Sequence, residues 1–200
     1  SFMLYAAWYS LGFGKMGWLN VDFSFRLRFD YLDLFINMLP GSYTSLNRGG
    51  QPEIYCGMVA LMCMPLFYLS KSVPKRQKIA ATGMLFALTA SFTINTIDLV
   101  WHGFAEPNWL NYRYAYVFSF FALTLAADAL KGIKKVKPSY IVATGITYFI
   151  LVLIIQKLKV TFQQGDNTIA LNSMRCIMFS LIVIVIYTAV LRMMQNRKKA

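Results

Sequence analysis

The sequence predicts an all-α fold: a polytopic transmembrane helical bundle of about six spans, with an interfacial segment in its first outer loop. Three observations carry the prediction. The 200 residues are 58% hydrophobic and 16% aromatic, with a mean hydropathy of +0.50. Only 14% are charged, and 20 Lys and Arg stand against 8 Asp and Glu. The basic residues sit in short clusters between long apolar runs. A net charge of +12 would otherwise raise nucleic-acid binding, but that distribution is the pattern of a membrane protein, and no nucleic-acid partner is expected.

Taken in order, residues 1–18 form the weakest run, interrupted by Gly12, Gly14, Lys15 and Gly17. Five clearer runs follow, at about 54–70, 79–100, 114–130, 139–156 and 174–191. Each approaches the ~20 apolar residues that a helix needs to cross the hydrocarbon. Three connections are short and basic: SKSVPKRQK with Lys71, Lys75, Arg76 and Lys78; KGIKKVKPS with Lys131, Lys134, Lys135 and Lys137; and the tail with Arg192, Arg197, Lys198 and Lys199. These hold 12 of the 20 basic residues and no acid. The other connections, about 19–53, 101–113 and 157–173, carry most of the acids. The positive-inside bias puts the basic loops and both termini of this segment in the cytoplasm and the mixed-charge loops outside.

The first residues, Ser-Phe-Met-Leu-Tyr, show no basic region followed by a cleavage site, so no signal peptide is predicted. Residues 1–200 read as a single transmembrane domain, expected to be a segment of a larger membrane protein. Cys56, Cys63 and Cys176 fall in or beside apolar runs and are spaced for neither a metal nor an obvious disulfide. They read as small buried hydrophobes. No acidic pair recommends a metal site, and no cofactor is expected.

In the first outer loop, polar and apolar residues alternate from Asp22 to Asp30, and YLDLFINML then reads as a helix ended by Pro40 and Gly41. This piece is expected to lie in the interface, aromatic side down. It presents Arg26, Arg28 and Arg48, with Asp22, Asp30, Asp33 and Glu53 nearby. The second outer loop is WHGFAEPNWLNYRYAYVFSF, residues 101–120, and it holds the only histidine. Asp98 and His102 are four apart and share a face if the helix continues through them, with Pro107 ending it. The carboxylate then orients the imidazole, as a functional pair or as a structural cap. Arg113 stands where the next span begins, and Arg suits phosphate recognition. Trp101, Trp109, Tyr112 and Tyr114 read as an aromatic belt. The third outer loop reads as a solvated connection in which Lys157, Lys159 and Asp166 need no function. Asp128 is expected to pair with Lys131 or Lys135, and Arg175 to snorkel outward or pair with an acid.

Two blocks, LPGSYTSLNRGGQPEIYCG at 39–57 and WHGFAEPNWLNYRYAYVFSF at 101–120, resemble the bacterial YfhO family of polytopic membrane proteins in order, spacing and membrane context. The resemblance runs over most of residues 1–130 and weakens afterwards into generic spans. It implies a bacterial cell membrane protein larger than this chain, and a glycosyltransferase of the multi-span, polyprenol-phosphate-dependent (GT-C) kind. The implied partners are membrane lipid, a polyprenyl-phosphate-linked sugar and an extracellular glycopolymer acceptor such as (lipo)teichoic acid. On that reading Arg26, Arg28, Arg48 and Arg113 serve the carrier phosphate, with Glu106 beside them on the substrate. Asp98 and His102 serve positioning or proton transfer. Such enzymes typically carry the catalytic carboxylate in the first outer loop near the true N-terminus; if this chain begins after that loop, that base is missing from it. Asp30, Asp33 and Asp98 are the alternatives within it. Two rival readings stand beside this one. A lipid-linked-sugar transporter or flippase should carry ionisable or helix-breaking residues at mid-span, where only Asn95 and Pro65 come close. A non-catalytic membrane scaffold would carry the same spans without chemistry.

Overall fold

The computed structural model describes Tyr5, Tyr9 and residues 21–41, 50–104, 111–158, 161–164, 167–170 and 173–196. Within these residues the chain is helical apart from one two-stranded hairpin. The helices are α1 (Tyr31–Asn37), α2 (Met58–Leu69), α3 (Lys75–Thr93), α4 (Asn95–Trp101), α5 (Ala115–Lys131), α6 (Pro138–Leu158) and α7 (Met174–Asn196). A 3-10 turn at Ile133–Lys135 links α5 to α6. In the connection before α7, Thr161–Gln164 (β1) pairs antiparallel with Asn167–Ala170 (β2), an ordered hairpin where a plain solvated loop was expected. The weak first run, 1–18, lies outside the described residues except for Tyr5 and Tyr9, as do Lys159, Asp166, Arg197, Lys198 and Lys199.

By length and apolarity, two of the described helices qualify as membrane spans, α6 and α7. They pack along each other, and α2 packs against α5, α6 and α7 at the centre. The main core gathers Met58, Leu61, Met62, Leu66, Leu125, Ile141, Val152 and Ile177 around α2. Cys63 and Cys176 are buried and Cys56 partly so, with none in a disulfide, as their placement implied. The 12 residues of α2 rise only about 18 Å, because the apolar run 54–70 opens with an extended stretch through Gly57. Helix α1 joins this core through Ile36, with Phe35 packed against it. It buries Leu34, Ile36 and Asn37, and Phe35 stacks on Tyr148, midway along α6, at 5.8 Å. Where the sequence pattern puts this helix flat in the interface, it instead packs into the bundle. Its Tyr31 and Leu32 stay exposed, as do Phe23, Phe25 and Leu27, which alternate along the extended stretch before it.

The run 79–100 is not one continuous helix. Ile94 adopts extended backbone angles between α3 and α4. The hydroxyls of Thr89, Ser91 and Thr93 each donate to the carbonyl four residues back, at 2.7–2.9 Å, a habit that loosens and bends a helix. At the break, Leu27 bridges antiparallel to Ile94. The Arg28 amide donates to the Thr93 carbonyl at 2.8 Å, and the Asn95 amide to the Arg26 carbonyl at 3.1 Å. Residues 22–28 thus satisfy backbone groups that the break frees. Asn95, 2% exposed, completes the clasp by donating from Nδ2 to the Asp22 carbonyl at 2.6 Å. Asn95→Ala should cost about 1–3 kcal/mol and speed amide exchange at residues 22–28 before the helical core responds.

The basic connections gather at one end. Lys78 Nζ donates to the Ser70 carbonyl at 2.8 Å, Gly132 lies against Ser70 and Ser72, and Gln195 Nε2 reaches the Val136 carbonyl at 3.4 Å. Asp128 pairs with Lys131 at 3.1 Å, one of its two expected partners. From this end the 19 residues of α3 rise about 28 Å, so the break at Ile94 falls at the far end of the bundle and not at its middle.

Candidate functional site

At that far end, Asn95, Asp98 and His102 follow one another at i, i+3 and i+7, on one side of α4 and its cap. The helix stops at Trp101, well before Pro107. Gly103 takes a φ of 64°, its amide donates to Val100 and that of Phe104 to Leu99, the arrangement that ends helices at a left-handed glycine. Asp98 has no solvent exposure. Its Oδ2 stands 3.1 Å from Arg28 Nη1, close enough for an ion pair but without the alignment of a hydrogen bond. Its Oδ1 accepts from the Tyr114 hydroxyl at 2.7 Å. His102 Nε2 lies 3.6 Å from the same oxygen, beyond hydrogen-bonding range, and has no hydrogen-bond partner among the described residues. Arg28 Nε also donates to Asn95 Oδ1 at 2.8 Å.

Tyr114 is fixed by stacking. Its ring lies between Phe92, with centroids 5.2 Å apart, and Trp101, at 4.6 Å. The hydroxyl is 2.7 Å from both Asp98 Oδ1 and the Ser91 carbonyl, so one proton faces two acceptors. Tyr112 is buried beside it against Phe29 and Phe92, at a positive φ of 61°. Burial pushes the Tyr112 phenol up to about 12 although Arg28 pulls the other way, so it is a neutral group at any physiological pH. These two tyrosines are therefore core and site residues, not an aromatic belt. Trp101 keeps half its surface exposed, and Trp109 lies outside the described residues.

The remaining expected site residues divide. Arg26 is exposed and pairs with Asp22 at 2.9 Å, away from Asp98. The Ser24 amide, then Arg26, hold the Asp22 carboxyl below its ordinary range. Such an exposed pair adds little to stability. Arg113 is exposed between the two buried tyrosines. Arg48 and Glu106 lie outside the described residues. Asp33 belongs to a second polar network, accepting from Gln51 Nε2 at 2.9 Å, while Asn37 Nδ2 donates to Gln51 Oε1 at 2.8 Å. Burial raises the Asp33 carboxyl above its ordinary value. No group of three metal-ligating side chains occurs among the described residues.

Sequence reasoning thus passed over Tyr114 and Asn95 as site members. The signal for Asn95 was its spacing to Asp98 and His102. Chemically, the arrangement anchors a buried carboxylate and sets two basic groups around it, Arg28 and His102, whose side chains are 20% and 10% exposed. Asp98 is already engaged by Arg28 and Tyr114 and has no surface of its own. It is suited to orienting its neighbours, not to taking a proton from a solvent-side hydroxyl.

A family model described as bacterial membrane protein YfhO matches residues 1–200, the whole chain rather than its first two thirds. No curated protein and no solved structure matches it.

Proposed function

Starting from a chain that belongs to the YfhO family of bacterial membrane proteins, we propose that it forms part of a membrane glycosyltransferase. This enzyme transfers a sugar from a polyprenyl-phosphate carrier to an extracellular glycopolymer such as (lipo)teichoic acid. The observation that carries the reading is the Arg28–Asp98–His102 cluster at the end of the bundle remote from the basic connections. By the positive-inside bias that end faces outward, the side on which a lipid-linked donor and an envelope polymer would meet. In this arrangement α3, α5, α6 and α7 cross the membrane with the shorter α2 packed among them, and Phe23, Phe25 and Leu27 rest in the outer interface.

Loss of the sugar leaves negative charge on the carrier phosphate, and a guanidinium or imidazolium held at the membrane edge stabilises it. Arg28 is the anchored candidate for that role. Arg113, and Arg48 with Glu106, are further contacts for the donor, and Arg26 is a peripheral one. His102, with Nε2 uncommitted among the described residues, positions or protonates the leaving group. Asp98 is a positioning residue. The flippase reading asks for ionisable groups at mid-span, whereas the helix break at Ile94 and its ion pair sit about one bilayer thickness from the start of α3.

The test is transfer of labelled sugar from a polyprenyl-phosphate donor in membranes containing the full-length protein. His102→Ala should lower transfer about a hundredfold with the protein still folded and inserted. Transfer unchanged in both His102→Ala and Arg28→Lys would remove this cluster from the chemistry.

A further inference from the structure

At the opposite end of the bundle, the turn between α2 and α3 and the last turn of α5 enclose an open cleft of about 280 Å³. Ser72, Val73, Gln77, Lys131 and Lys135 line it, with Gly132 at its wall. Asp128 is the only acid in that lining, and its Oδ1 holds Lys131 Nζ at 3.1 Å. Lys135 pairs with no acid among the described residues. The walls are built closely. A Cβ on Gly132 would come within 2.4 Å of Ser72 Oγ, so Gly132 leaves the Ser72 hydroxyl its present place. The Ser70 and Ser72 hydroxyls are 2.7 Å apart, and Lys78 fixes the Ser70 carbonyl. Along the chain on either side stand exposed apolar residues, Leu69 at 40% and Ile79 at 73%.

We propose that this cleft binds the headgroup of an anionic glycerophospholipid, its phosphate on Lys131, Lys135 and the Ser72 hydroxyl and its acyl chains along Leu69 and Ile79. Donors and net positive charge select a phosphate. The volume is below that of a pocket for a drug-sized ligand, and the flanking apolar surface gives a lipid tail a place that a soluble anion does not need. The proposal rests on membership of a membrane protein family and not on sugar transfer, so the two stand or fall separately.

The full-length protein in detergent is titrated with dioctanoyl phosphatidylglycerol, dioctanoyl phosphatidylcholine and inorganic phosphate, and bound lipid is counted by native mass spectrometry. Phosphatidylglycerol should bind with one-to-one stoichiometry and in preference to phosphatidylcholine. The pair K131Q/K135Q should weaken it about tenfold. The pair K75Q/K137Q removes the same charge from the same end outside the cleft, and should leave binding within about twofold. Equal weakening by both pairs would overturn the proposal in favour of diffuse attraction. Displacement of the lipid by inorganic phosphate at similar concentration would overturn it in favour of a soluble anion.

Discussion

Asp98→Ala should destabilise the protein by about 3–5 kcal/mol, because it leaves a largely buried guanidinium without its carboxylate. Asp98 has no exposed surface and the Arg28 side chain keeps only 20% of its own. Arg28 cannot simply swing into water: its Nε is held by Asn95 and its backbone amide by the Thr93 carbonyl. The Tyr114 hydroxyl is the lesser loss, since it still has the Ser91 carbonyl at 2.7 Å. Asp98→Asn keeps an acceptor for Tyr114 and should cost less, about 2 kcal/mol. The informative variant removes both charges. Arg28→Met combined with Asp98→Leu should recover most of the stability lost by either change alone, since a buried ion pair repays its desolvation only partly. Unfolding midpoints in detergent, set out as a double-mutant cycle, measure this. A cost below about 1 kcal/mol for Asp98→Ala would show that Arg28 finds water, and the cluster would lose its rigidity. The doubly apolar variant also separates clamp from chemistry. Stability restored with sugar transfer lost assigns the charges to function. Both restored would leave the pair only the task of holding residues 22–28 on α4.

Why this pair was only half legible follows from where its members sit. Asn95, Asp98 and His102 are local, and their spacing can be read from one helical turn to the next. Arg28 reaches Asp98 only because the chain breaks at Ile94 and residues 22–28 dock there as an extended strand. That break is a tertiary event. The apolar run 79–100 reads as one span, and the hydroxyl residues Thr89, Ser91 and Thr93 loosen a helix without requiring that it break at Ile94. The same limit explains α1. Its helix and its Pro40–Gly41 stop were legible, but its burial against Tyr148 and the core is a tertiary contact, which hydropathy does not register. The tyrosines 112 and 114 misled by residue type: Tyr at a span end is commonest in the interface, yet here Phe92 and Trp101 clasp Tyr114 in the interior. The basic connections were the most legible feature, because their charge runs needed no partner to be recognised, and the structure brings them to one end.

Gly145→Leu should cost about 3 kcal/mol by forcing α6 and α7 apart. A Cβ at this position would meet Thr188 Oγ1 at 2.3 Å and Thr188 Cβ at 3.2 Å, so the Thr188 side chain fills the space that glycine leaves on α6. In lipid the hydrophobic effect does not hold helices together, and close packing at small residues carries more of their association. A leucine here cannot be absorbed by one flexible neighbour, since Thr188 is β-branched and its hydroxyl is held on the Ile184 carbonyl at 2.7 Å. The helices must separate, and Val152, Ile155, Ile177, Ile184 and Leu191 would lose part of the burial they now have. Gly145→Ala should cost about 1 kcal/mol, and Thr188→Ala should rescue it, because the hydroxyl and methyl that block the new Cβ are then gone. The same Thr188→Ala should not rescue Gly145→Leu, whose side chain still meets the facing backbone. Melting temperatures of the four variants in detergent decide the matter. A neutral Gly145→Leu would mean that these two helices, the longest among the described residues, are held by their ends and not by their crossing.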